Sequence, residues 1–248
     1  MSDNNLRKYA ADFVHYKRSL DNLYNGQEYL INRYVSFAET TDNTSHVPAK
    51  ETVKEFLKFL SNSPGTLYQA VSVLREFSRY LQACGFADAY VMSPKMVSQP
   101  TPEAPYFFTE REVESFFEKI DSVKPNCSFK GREIVLPVLF RLLYCCGMRC
   151  KEARKLLYEN VHAEEGYIDI IQSKGPKSRR IFISKELADY LIDYDNHIRV
   201  IFPDREYYFP NGIGHYSSQF ISSNFKRFWL EAFPGSKLTT RPRAYDFR

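Results

Sequence analysis

Four prolines, Pro94, Pro100, Pro102 and Pro105, fall within residues 93–105, among few apolar residues. Proline fixes φ and lacks an N–H, so this stretch cannot extend a helix or lie inside a sheet. It reads as an extended connector. A chain of 248 residues is long enough for an ordinary domain on each side of it. The expected organisation is a domain over residues 1–93, a proline-rich linker over 94–105 and a second domain over 106–248.

The first part reads as helices. Residues 6–20 and 27–37 carry apolar side chains at helical spacing. Pro48 opens a third segment with Val53, Phe56, Leu57 and Leu60 on one face, and residues 62–65 end it. In the fourth, Leu67, Ala70, Leu74, Phe77 and Leu81 recur at steps of three and four, with Gly85 following as a C-cap. Four helices of this length make a small bundle.

The second part mixes periods. Thr109 and Glu112 form a T-x-x-E capping box heading a helix through Ile120. Residues 132–146 are strongly apolar and stop at Gly147; Pro137 within them either kinks the helix or delays its start. A short helix is expected over 150–157. Residues 167–171 and 180–183 are β-rich runs flanking a loop with Gly175 and Pro176 at its tip, a hairpin pattern. Helices follow over 185–198 and 217–233. The fold class is mainly α with a small β-hairpin, an α+β arrangement.

Charge is unevenly placed. Through Pro105, eleven Lys/Arg balance eleven Asp/Glu; beyond it, twenty-three face nineteen. Residues 170–185 hold Lys174, Lys177, Arg179, Arg180 and Lys185 and no acid. A basic patch on a near-neutral scaffold points to a polyanion. The longest charge-free apolar run, 134–140, is far short of the about 20 residues of a membrane span. The five cysteines are odd in number, without CxxC or histidine in ligand register. No metal, cofactor or disulfide framework is expected, and a cytoplasmic location fits. Cys145, Cys146 and Cys150 read as small packing residues.

Three cationic positions stand at element edges. Arg149 lies in Leu142-Leu143-Tyr144-Cys145-Cys146-Gly147-Met148-Arg149-Cys150-Lys151-Glu152, and Lys174 in Ser173-Lys174-Gly175-Pro176-Lys177-Ser178-Arg179. Arg248 follows Arg241-Pro242-Arg243-Ala244-Tyr245-Asp246-Phe247. Taken singly, they read as a helix-start arginine, a solvated loop lysine and a frayed end. Taken in order, they resemble three signatures of the tyrosine recombinase (phage integrase) family: L-L-Y-x-x-G-[LM]-R-x-x-E, S-K-x-x-K-x-R, and R-x-H-D-[LF]-R. The N-terminal bundle resembles that family's core-binding domain, and residues 106–248 its catalytic domain, incomplete at the C-terminus.

The resemblance implies site-specific DNA recombination or integration of a mobile element through a phosphotyrosine intermediate. Arg149 and Arg248 would clamp the non-bridging phosphate oxygens, because guanidinium stays charged and donates a planar fork. Lys174 would protonate the leaving 5′-oxygen, with Lys177 as the alternative if the loop register shifts. Glu152 would orient an arginine, or else be an ordinary helix-surface acid. Lys177, Arg179, Arg180, Arg241 and Arg243 would grip double-stranded DNA, and the family works as a homotetramer on it. Two departures matter. Tyr245 stands where the family usually has His or Lys. The nucleophilic tyrosine is expected beyond Arg248, which would leave this chain binding DNA without cleaving it. A natural short form that occupies recombination sites is the competing reading.

Overall fold

The computed structural model describes residues 5–41, 46–125, 129–171, 178–236 and 242–247. Lys174, Lys177, Arg241 and Arg248 lie outside the described residues. The chain divides into two compact units, Met1–Glu103 and Ala104–Arg248.

The first unit contains four helices among its described residues: α1 (Asn5–Ser19), α2 (Asn25–Thr41), α3 (Lys50–Phe59) and α4 (Pro64–Ala83). The apolar spacing seen in the sequence becomes its core. Phe13, Tyr34, Phe56, Phe77 and Leu74 are at most 1 % exposed. Removing such side chains from water is the main stabilising term for a bundle of this size. Gly85 has φ 99°, the left-handed conformation that lets a glycine end a helix where other residues are strained. Gly65 differs from expectation. It opens α4 rather than ending α3, because Ser63 is the N-cap and Pro64 the first helical residue.

The second unit begins with α5 (Glu110–Asp121), α6 (Arg132–Cys146) and α7 (Cys150–Arg154). The capping box is formed, with the Glu112 backbone N–H donating to Thr109 Oγ1 at 3.3 Å and the Thr109 N–H to Glu112 Oε2 at 2.9 Å. Pro137 lies inside α6, which starts at Arg132 without delay. The expected 150–157 helix is shorter. It stops at Arg154, because Leu157 is extended and bridges Tyr207. The sheet has one strand more than the hairpin: β1 (Val161–His162), β2 (Tyr167–Ile170) and β3 (Arg179–Phe182), antiparallel in that order. β1 was missed because two residues show no periodicity. Helices α8 (Lys185–Ile201) and α9 (Ser218–Ala232) follow, each N-capped by a serine hydroxyl, and a 3₁₀ turn (Ala244–Phe247) closes the described chain. α6 carries the core, with Val135, Leu136, Leu139, Phe140 and Leu142 fully buried. Among the described residues no helix is long and apolar enough to cross a membrane.

Candidate active site

The site is built on a helix–helix corner. Gly147 caps α6 with φ 55°, ψ 32°, a left-handed turn that redirects the chain within one residue. Met148 is buried and anchors the turn. Arg149 is then the N-cap of α7, in extended backbone conformation. One turn on, Glu152 reaches back. Its Oε2 accepts the Arg149 backbone N–H at 2.8 Å, and its Oε1 accepts Arg149 Nη1 at 2.6 Å.

Glu152 also receives a second arginine. Arg179 on β3 donates Nη1 to Oε1 at 3.0 Å and Nη2 to Oε2 at 2.7 Å, the bidentate fork that suits a carboxylate. The Glu152 side chain is 2 % exposed, against 32 % for Arg149 and 38 % for Arg179. A buried carboxylate thus holds two partly exposed guanidinium groups, and the cluster keeps a net positive charge. The hydrogen bonds that Arg179 donates to Glu152 hold its guanidinium above the ordinary arginine pKa. The surface-acid alternative for Glu152 is therefore excluded by burial.

Strand alternation decides which arginine is used. Arg179 and Ile181 are partly buried on one face of β3, and Arg180 and Phe182 are exposed on the other. Arg180 pairs with its cross-strand neighbour Asp169 at 2.9 Å and lies 3.7 Å over the Tyr167 ring. Its bonds hold the Asp169 carboxyl below the usual carboxylate range. Sequence reading grouped Arg179 and Arg180 as equivalent DNA contacts, yet one is tied to the Arg149 corner and the other to the sheet surface.

The C-terminal box repeats the α7 device. The Arg243 backbone N–H donates to Asp246 Oδ2 at 2.8 Å, and its Nη2 to Oδ1 at 3.0 Å. The Asp246 side chain is 1 % exposed. The Arg-x-x-acid spacing of 149–152 recurs at 243–246; sequence reading gave Glu152 an arginine-orienting role and gave Asp246 none. Phe247 anchors the box. It is 7 % exposed, among Phe108, Phe116, Phe117, Phe225 and Tyr144. The Tyr144–Phe247 ring separation of 5.6 Å sets the box against the last turn of α6, just before the Gly147–Arg149 corner. β3 thus joins the α6–α7 corner through Arg179 and Glu152, and the C-terminal box packs on the last turn of α6 through Tyr144 and Phe247.

The phage integrase family model matches residues 106–248, more than half of the chain. The chain belongs to the phage integrase family, the tyrosine recombinases. Among curated relatives, tyrosine recombinase XerC of Lactobacillus delbrueckii subsp. bulgaricus is 30 % identical over 129 residues, covering 52 % of this chain and 41 % of its own length. A tyrosine recombinase of Pseudothermotoga lettingae is 23 % identical over 194 residues, covering 76 % and 64 %. The chain thus spans about half the length of the curated relatives it matches. Among solved structures, XerH recombinase bound to palindromic difH substrate in a post-cleavage complex aligns with a TM-score of 0.65 at 18 % identity, over 90 % of this chain and 65 % of that one. A lambda integrase dimer bound to a COC′ core site aligns at 0.62 and 13 % identity, over 98 % and 86 %. The mainly helical fold with a small antiparallel sheet is that of these tyrosine recombinases.

Within this tyrosine recombinase fold, Tyr245 is 58 % exposed on the 3₁₀ turn, between buried Ala244 and Asp246. The other tyrosines divide: Tyr194 and Tyr208 are buried, and Tyr144 is 42 % exposed while packing on Phe247. Cys145 is exposed rather than packed, and burial pushes the Cys146 thiol up to about 11. No group of three or more His, Cys, Asp or Glu among the described residues could hold a metal.

Proposed function

We propose that this chain is the DNA-gripping and phosphate-polarising part of a site-specific tyrosine recombinase acting on double-stranded DNA. The observation that carries the reading is Glu152: a nearly inaccessible carboxylate that fixes Arg149 at a helix start and borrows Arg179 to do so. Buried charge of this kind is costly unless paired, and an arginine held by a rigid partner is preorganised for an oxyanion. In this reading Arg149 and Arg248 stabilise the charge that builds on the non-bridging oxygens when a tyrosine attacks the phosphodiester. Lys174 delivers the proton to the leaving 5′-oxygen. The domain over residues 1–93 and the basic positions Lys177, Arg180, Arg241 and Arg243 hold the duplex.

Tyr245 belongs to the arginine-bearing box, where its phenol donates to a phosphate oxygen, and is not the attacking group. The 248-residue polypeptide, incubated with a nicked suicide substrate and run on a denaturing gel, should therefore show no covalent protein–DNA band. A band that disappears in Tyr245→Phe would overturn this assignment of Tyr245. In a recombinase that carries its nucleophile, Lys174→Ala should leave duplex binding nearly intact and slow cleavage by about 10² to 10⁴-fold, the span of general acid–base contributions. Unchanged cleavage would remove the general-acid role.

A further inference from the structure

A basic cleft lies at the opposite end of α6 from Arg149. Its volume is about 340 Å³, and its lining includes Lys119, Lys124, Arg132, Arg227 and Glu231. At about 1.5 Å per residue, the fifteen residues of α6 place it roughly 20 Å along the helix from the Gly147 corner. Arg132 is its unusual member. The residue is 7 % exposed, and its Nη2 donates to the neutral amide oxygen of Asn224 at 3.1 Å. Among the described residues it makes no ion pair. Glu231, the one carboxylate lining the cleft, is engaged by Arg227 Nε at 2.8 Å.

A guanidinium carries five donors. One amide oxygen uses a single donor and carries no charge, and burying a cation without a direct ion pair is costly. Lys119 and Lys124 add like charge at the rim, as does the N-terminal end of the α6 dipole. Burial and the neighbouring Arg227 outweigh the attraction of Glu231 and Glu133 and hold Arg132 below the ordinary arginine pKa. The cleft has more than ten times the roughly 30 Å³ that a water molecule occupies. A tetrahedral oxyanion with its first waters fits.

We propose that this cleft binds a phosphate-class anion, separately from the Arg149 corner. The phosphate comes either from the DNA backbone or from a free phosphate in solution. It takes the cationic rim of Lys119 and Lys124 on one side and the Arg132 fork on the other.

Titrating inorganic phosphate at constant ionic strength into the ¹⁵N-labelled chain tests it. Amide shifts confined to residues 119–124 and 227–231 should saturate. They should need at least tenfold more phosphate in the Lys119→Glu/Lys124→Glu double variant, whose exposed positions leave the core intact. Shifts that fail to saturate, or that are the same in the double variant, would overturn the proposal. The same two proteins, titrated with a short duplex at several salt concentrations, identify the source. A salt slope that falls by about 0.9 per lost contact assigns the phosphate to the DNA backbone. An unchanged slope beside saturable phosphate binding assigns it to a free phosphate. A wild-type chain that shows no salt-dependent duplex binding would sink the recombinase reading instead and leave the phosphate result standing.

Discussion

At the residue scale the site turns on one carboxylate. Replacing it by an amide of the same shape, Glu152→Gln, leaves Arg149 and Arg179 converging on a neutral group. Breaking a buried ion pair costs about 3–5 kcal/mol. The two arginines are about a third exposed, and solvent screening reduces that to about 2–3 kcal/mol. Urea unfolding of the second unit should show a clearly lower midpoint. An unchanged midpoint would mean that the carboxylate does not hold the corner. Arg180→Ala should behave in the opposite way. Its pair with Asp169 is on the sheet surface, so the midpoint should stay put while duplex affinity falls. If Arg180→Ala instead lowers the midpoint as much as Glu152→Gln, the division of labour between the faces of β3 is wrong.

At the element scale, α5 and the 3₁₀ turn are the parts whose local devices matter most. Thr109→Ala removes the α5 cap and should cost about 1 kcal/mol. The loss should depend on pH. Burial raises the Glu112 pKa, but hydrogen bonds from Tyr106, at 2.5 Å, and from Thr109 outweigh it and leave the carboxyl below its ordinary value. A depressed folded pKa contributes stability above the unfolded carboxylate value of about 4.3 and loses it as pH falls through the folded value. The Tm difference between wild type and Thr109→Ala should thus be full at neutral pH and shrink in acid. A difference that is constant with pH would uncouple Glu112 from the cap. Phe247→Ala empties a pocket among five aromatic rings, and buried Phe→Ala changes cost about 3–5 kcal/mol. Amide exchange over residues 243–247 should speed up strongly, because Phe247 is what anchors the turn in the apolar core. Protection equal to wild type would show that the Arg243–Asp246 pair suffices without the ring.

At the scale of the whole molecule, each unit carries its own apolar cluster, one built on Phe13, Tyr34, Phe56 and Phe77 and the other on α6 and its neighbours. Units with separate cores unfold as separate cooperative blocks. Limited proteolysis should cut first within residues 93–105, where proline-rich backbone lacks regular hydrogen bonding, and each fragment should retain its own thermal transition. A first cut inside α4 or α5, or a single transition lost on cleavage, would show that neither core is sufficient. Duplex binding by the intact chain should weaken with salt, with a slope of roughly −0.9 per phosphate contacted. Affinity that is flat between low and moderate salt would remove the polyanion partner.

The sequence by itself determined the helices, because a 3.6-residue apolar period, a T-x-x-E cap and a glycine stop are local properties of a chain that must bury one face. It determined the ordered signatures too, since Gly147, Arg149 and Glu152 are placed by spacing within one corner. Tertiary structure decided the rest. Whether Glu152 is a surface acid depends on what covers it, and what covers it is Arg179, twenty-seven residues away on another element. Which of Arg179 and Arg180 turns inward depends on strand register, which two adjacent arginines cannot reveal, because a shift of one residue would exchange them. Phe247 reads as one apolar residue among polar ones until five rings from α5, α6, α9 and the chain before α5 close around it. Arg132 reads as an ordinary helix-start cation until packing against α9 buries it on the neutral amide of Asn224. Local propensity follows from neighbours in sequence, whereas burial and charge compensation follow from neighbours in space, and only the folded chain brings those together.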